Sequence, residues 1–279
     1  MFNRKVLKAR AKEVLRTTYW YTFGILLLIQ LISSTASTFF TLPTRIMSAA
    51  ASSSAEFMML GATGILSILL LAISIFFLNP LALGGNKFLL DAAKSGFTDI
   101  GAIGYSFRSN YKNIVMVTFM KTLILFAFGV IPFVLLIAGF TYSAVMLGLN
   151  LSGSTMYAVT ASPGVDTLFT ILPLIAYILL IPMFMKVYDY YLVEYILAED
   201  ADISWREALS KSKQLMRGNR WATFVMNLSF FGWILLGACA CGIGVVFVLP
   251  YIRATDAQLY LELSGQSNIE TFSENTENI

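Results

Sequence analysis

Apolar runs long enough to cross a bilayer recur along this chain, and every Lys and Arg except Arg45 lies at the edge of the same alternate gaps between them. Arg4, Lys5, Lys8, Arg10, Lys12 and Arg16 precede the first run. Lys87, Lys94, Arg108, Lys112 and Lys121 follow the second or open the third. Lys186, Arg206, Lys211, Lys213, Arg217 and Arg220 surround the gap after the fourth, and Arg253 falls in or after the last. Charge is costly in hydrocarbon, and loops rich in Lys and Arg stay on the cytoplasmic side. The pattern predicts a multi-pass protein of the cell membrane with both termini in the cytoplasm.

Composition points the same way. Charged residues make up 13% of the chain and apolar ones 57%, with a mean hydropathy of +0.74. A soluble domain carries about 25% charge, so lipid is expected to cover much of this surface. A helical span needs about 20 apolar residues. The expected spans are Tyr19–Phe40, Phe57–Leu78, Ile114–Phe140, Thr167–Tyr191, Trp221–Ala238 and Gly242–Leu263. The last two come from one run of 32 residues, Trp221–Ile252. At about 1.5 Å per residue a single helix there would overshoot the hydrocarbon core. Gly237, Gly242 and Gly244 offer a turn. The expectation is an all-α fold of six spans in one transmembrane domain over residues 1–267, followed by a polar, acidic cytoplasmic tail over 268–279. The basic N-terminus and first apolar run resemble a signal peptide, but the run continues through Phe39 and Phe40, so it reads as a retained span.

A repeat is suggested by Ala11–Phe23 set against Ser212–Phe224, where Lys, Arg, Trp, Thr and Phe coincide at a constant offset of 201. Arg108-Ser-Asn110 echoes Arg217-Gly-Asn219, and Asp99-Ile100 echoes Asp202-Ile203. Each time a short basic stretch feeds a hairpin, which suggests three interfacial-helix-plus-hairpin units.

The best-defined interfacial helix is Ser204–Arg217. Ser204 and Glu207 have capping-box spacing. Trp205, Ala208, Leu209, Ser212, Leu215 and Met216 share one face, and Gly218 suits a left-handed stop. Such a helix is expected in the headgroup plane with Trp205 toward lipid. Trp205, Arg206, Lys211, Lys213 and Arg217 are its candidate contacts for anionic lipid or a membrane partner. A second polar patch ends the fourth span: Lys186, Asp189 and Tyr190 stand at helical spacing with Glu194 beyond them, a cation or headgroup site or else an interfacial charge pair. The lone amides Gln30, Asn79 and Asn227 suit interhelical hydrogen bonds. Pro132, Pro173, Pro182 and Pro250 can kink their spans.

The sequence has no histidine, two cysteines, no CxxC and no P-loop lysine motif. Zinc hydrolysis, ATP-driven work and a Ser–His nucleophile are therefore not expected. No catalytic residue, cofactor or metal site is assigned, and no nucleic-acid partner.

The string W-x-E-A-L-x-x-S-K-x-L-M-x-G-N-R (Trp205–Arg220) is followed by F-x-x-N-L-S-F-F-G-W (Phe224–Trp233), G-I-G (Gly242–Gly244) and Pro250-Tyr251. With R-x-x-L-K-x-x-A-K (Arg4–Lys12) and Tyr19-Trp20, it resembles the Gram-positive integral membrane family designated domain of unknown function 975. More distantly it is similar to the membrane-embedded portion of some glycerophosphodiester phosphodiesterases. The resemblance implies a bacterial inner-membrane helical protein and carries over no catalytic residue. The expected role is non-enzymatic binding of lipid, peptide or a membrane partner. The alternative is a small-solute transporter or a permease subunit needing a separate ATPase.

Overall fold

The computed structural model describes residues 2–50, 65–66, 68–96, 99–151, 163–239 and 243–266, and these are helical apart from short turns and connections. The start of the expected second span, the middle of the expected turn (240–242) and the expected acidic tail lie outside them. Helix α1 is Arg4–Ala50, opened by Asn3, whose side-chain oxygen accepts from the Lys5 amide at 3.0 Å. A π-helical turn, Ser74–Leu78, leads directly into α2, Asn79–Ser95. A 3-10 segment over Ile100–Gly104 and the short α3, Tyr105–Arg108, precede α4, Tyr111–Leu151. Then come α5 (Pro163–Asp189), α6 (Val193–Glu199), α7 (Trp205–Met216), α8 (Arg220–Cys239) and α9 (Ile243–Leu263).

Four of the described helical stretches are long and apolar enough to cross a membrane: Ile68–Ser95, Tyr111–Ser143, Ile171–Glu199 and Arg220–Cys239. They overlap the second to fifth expected spans. Their apolar side chains face outward. Ile131, Val134, Ile137 and Phe140 on α4, and Leu174, Ile178 and Ile181 on α5, are exposed. Soluble proteins rarely leave such continuous apolar surface bare.

The helices run past the expected ends. Helix α1 continues to Ala50 rather than Phe40, α4 to Leu151 rather than Phe140, and the second span to Ser95 rather than Leu78. Pro80 has no N–H to offer the preceding turn, and the π turn just before it absorbs the change of register. Helices α4, α5 and α9 also run unbroken through Pro132, Pro173, Pro182 and Pro250.

The chain forms two compact units, one from Met1–Phe119 with Tyr191–Ile279 and one from Met120–Tyr190. In the first, α9 packs against α1, α8 and α2, while α2 also packs against α6 and the 3-10 segment. The second half of α9 is buried on every face, from Ala254 through Leu261. Its end is closed by Gly265 at φ +75°, with the Gln266 amide donating to the Leu261 carbonyl at 2.9 Å and Gly265 to Glu262 at 3.4 Å. That is a Schellman closure, which satisfies the last carbonyls without a polar side chain. Helices α8 and α9 meet glycine to glycine: a Cβ on Gly237 would lie 2.6 Å from the Val245 amide nitrogen and 2.7 Å from the Gly244 carbonyl carbon. The second unit is smaller. In it, Gly129 of α4 lies against Met183 of α5.

The suggested repeat has unequal local structure. Residues 11–23 lie within unbroken α1, whereas 212–224 contain the end of α7, the break at Gly218 (φ +82°) and the start of α8. The middle and last copies agree better. In each a short helix ends beside an extended residue, Ser109 or Arg217, before the next long helix begins.

Candidate functional site

The polar residues of the first unit converge on α9. Tyr191 follows the end of α5 and places its hydroxyl 2.8 Å from Asp256 Oδ1, to which it donates. Asn227 of α8 donates to the same hydroxyl at 3.3 Å. One turn along, Tyr195 donates to the Arg253 carbonyl at 3.1 Å. The Arg253 guanidinium lies within electrostatic reach of both Glu194 and Asp256. Glu194 in turn accepts from Asn86 of α2 at 3.0 Å. Asn86 and Asp256 are buried, so four elements share one enclosed polar junction. Buried polar groups persist only when paired. Here a cation and two carboxylates are packed with neutral donors, and the arrangement fixes α8 and α9 against α2 and α6.

Below the junction, Glu199 accepts from Lys94 at 2.5 Å and from the buried Tyr260 hydroxyl. Arg10 pairs with Glu262 at 2.8 Å. Asn113 of α4 holds the 200–204 turn through the carbonyls of Ala201 (2.8 Å) and Ile203 (2.7 Å), and Asn110 donates to Asp202 at 2.9 Å. Asn110, which echoes Asn219, thus meets Asp202, which echoes Asp99. Tyr105 faces Asp91, Asp200 and Asp202, with Lys87 over its ring at 5.2 Å. Burial first, then those carboxylates, pushes its hydroxyl above the ordinary range. Among the described residues no three His, Cys, Asp or Glu side chains gather as a metal site.

The expected interfacial helix forms as α7. Ser204 caps it by accepting from the Glu207 amide at 3.3 Å. Its environment differs from the expectation. Ala208, Leu209, Ser212 and Met216 are buried inside the protein, and α7 packs on α6, where Ser212 Oγ accepts from the Leu192 amide at 3.3 Å. The amphipathic spacing is real, but protein covers the apolar face. Arg206, Lys211, Lys213 and Arg217 remain exposed, and the Arg206 guanidinium lies 5.0 Å from the centroid of half-buried Trp205.

The second patch divides. Within the second unit, Lys186 lies 3.7 Å from the Asp189 carboxylate and 5.9 Å from the Tyr190 ring centroid, and also caps the ring of Phe128 at 5.5 Å. Glu194 belongs to the first unit and is engaged by Asn86 instead. Of the lone amides, Asn227 joins the junction, whereas Gln30 is exposed.

The sequence reading did not assemble Asn86, Tyr191, Arg253 and Asp256 into a site. One signal was available: Arg253, Asp256 and Gln258 are strongly polar residues within a run taken as a span, where polar side chains need a partner.

The described residues are helical apart from short turns and connections, and four of the helices are long and apolar enough to cross a membrane, which suggests a helical membrane protein. The chain belongs to the family described as protein of unknown function DUF975, whose model matches residues 1–267. No curated protein and no solved structure matches the chain.

Proposed function

We propose that this protein is a six-span bacterial cell-membrane protein with both termini in the cytoplasm, and that it acts without catalysis by binding anionic lipid at a basic inner rim. The observation that carries this reading is α7. Its apolar face is covered by the protein, so the helix is rigidly held. Its exposed face presents Arg206, Lys211, Lys213 and Arg217 beside Trp205. Each cation near an anionic surface contributes about 1 kcal/mol, and the sum falls with salt. Three hairpin units and a distant kinship with the membrane portion of glycerophosphodiester phosphodiesterases belong to the same reading.

The test is reconstitution into nanodiscs of phosphatidylcholine alone or with phosphatidylglycerol, followed by lipid exchange measurements. Enrichment of phosphatidylglycerol around the parent protein that falls with salt, and falls again when the four cations become glutamines, is the expected result. Equal enrichment in the glutamine variant would discard the rim as the lipid contact. A membrane-protein partner captured only by the parent would move the contact from lipid to protein.

One observation favours transport as a second reading. The Asn227–Tyr191–Asp256 chain lines up polar groups from three elements in a chain otherwise rich in apolar helices. Solute flux into proteoliposomes that is abolished by Asn227→Ala would support it, and absence of flux would remove it.

A further inference from the structure

A cavity of about 990 Å³ opens between the first turns of α1 and the start of α8. Three cations, Arg4, Lys5 and Lys8, line it, and none of its lining residues is acidic. None of the three makes a salt bridge among the described residues. Lys8 is held in place on the wall, donating to Ser229 Oγ at 2.5 Å with its ammonium 4.2 Å above the Phe230 ring. Burial, and then the nearby Arg4 and Lys12 charges, depress its pKa below the usual lysine value. Like charges gathered around a cavity repel one another, and an anion seated there would relieve that repulsion.

Apart from Asn3 and Ser229, the rest of the wall is apolar. Phe2, Trp221 and Val225 line the same cavity, and Trp221 is 68% exposed at the foot of a membrane-competent helix. Trp20, on α1, is 72% exposed just beyond the basic segment. Tryptophan at such positions marks the headgroup level of a bilayer. Cations lining the cavity with apolar side chains beside them suit an amphiphile whose charged group and first methylenes enter together. The volume far exceeds that of one inorganic anion and lies at the upper end of ordinary small-molecule pockets.

We propose that this cavity binds the phosphate headgroup of an individual anionic phospholipid, with Arg4, Lys5 and Lys8 contacting the phosphate and Phe2, Trp221 and Val225 the upper acyl chain. The site is distinct from the exposed rim on α7. It rests on the membrane placement proposed above but not on the rim's lipid contact.

The experiment is native mass spectrometry of the full chain released from detergent after incubation with phosphatidylglycerol or phosphatidylcholine. The parent protein is expected to retain one phosphatidylglycerol selectively. The variant Arg4→Gln/Lys5→Gln/Lys8→Gln should weaken that retention by about fivefold per cation, on the order of 100-fold in all. The glutamine variant of the α7 rim should retain the lipid as the parent does, so loss of the rim contact and loss of this site are read separately. A second measurement requires no substitution: phosphatidylglycerol should protect Lys8 from an amine-acylating reagent, and phosphatidylcholine should not. Equal retention of both lipids, or an unprotected Lys8 at saturating phosphatidylglycerol, overturns the proposal. Protection by millimolar inorganic phosphate alone would also overturn it, by making the cavity a free-anion site.

Discussion

The Tyr111 hydroxyl donates a 2.6 Å hydrogen bond to the Phe76 carbonyl, four residues before Pro80. In an α-helix that carbonyl would accept from the residue at position 80, and proline has no N–H to give. The π turn at Ser74–Leu78 and the phenol of α4 together accommodate the missing donor. Tyr111→Phe should cost about 1 kcal/mol, the net worth of an ordinary hydrogen bond. Thermal unfolding in detergent measures the loss. The effect should shrink in a Pro80→Ala background, where a backbone donor returns, and a double-mutant cycle showing no coupling would refute the account.

Tyr191 serves two partners with one hydroxyl, accepting from Asn227 and donating to Asp256. Tyr191→Phe removes both bonds while keeping the ring. A loss of roughly 2–3 kcal/mol is expected, because hydrogen bonds to charged groups are the stronger kind. Asn227→Ala should cost less. Chemical denaturation of the solubilised protein would rank the two, and the reverse order would contradict the geometry.

Glu199 joins Lys94 and Tyr260 across three helices. Its removal in Glu199→Ala leaves a buried phenol and a half-buried ammonium without their acceptor. About 2–3 kcal/mol of destabilisation is expected, below the range for fully buried pairs because solvent still reaches Lys94. Tyr260→Phe should cost about 1 kcal/mol. The order is checked by midpoint shifts in one denaturant series.

Gly84 sits where α2 meets the 3-10 segment, and a Cβ there would come 2.1 Å from the Ile103 carbonyl oxygen. Gly24 on α1 has open space at the same test. Gly84→Ala should therefore destabilise by about 2–4 kcal/mol or displace the 100–104 segment. Gly24→Ala should stabilise by up to about 1 kcal/mol through helix propensity. Equal effects of the two substitutions would show that the close approach is not needed.

The capping residues of α7 and the glycines dividing the last apolar run were legible in the sequence because their signals are local. Ser204 and Glu207 act within one turn of each other and Gly218 lies just past the end of the same helix, while Gly237 and Gly244 are seven residues apart. What covers a helix is not local information. The spacing of Ala208, Leu209, Ser212 and Met216 announces an amphipathic helix whether lipid or protein lies beneath it. The same holds for Thr255, Asp256 and Gln258, polar residues inside the expected last span, where the sequence names no partner for them. Asp256 finds its partner in Tyr191, far away in the chain, so its burial could not be inferred from its own neighbourhood. The continuation of the helix past Pro80 was not legible for another reason: the cost of a proline depends on register, and the π turn with Tyr111 changes it.

The enclosed second half of α9 also sets an order of events during synthesis. Leu7 and Ala11 of α1 and Leu83 and Leu90 of α2 belong to the buried core that α9 completes. More than one hundred and fifty residues of chain separate α2 from Ala254. At about 5–20 residues per second, the earlier helices wait on the order of ten seconds or more with those side chains uncovered. A nascent chain stalled before α9 emerges would present a basic, apolar N-terminal segment with its natural cover still unmade, which is the state a membrane insertase or quality-control protease would meet.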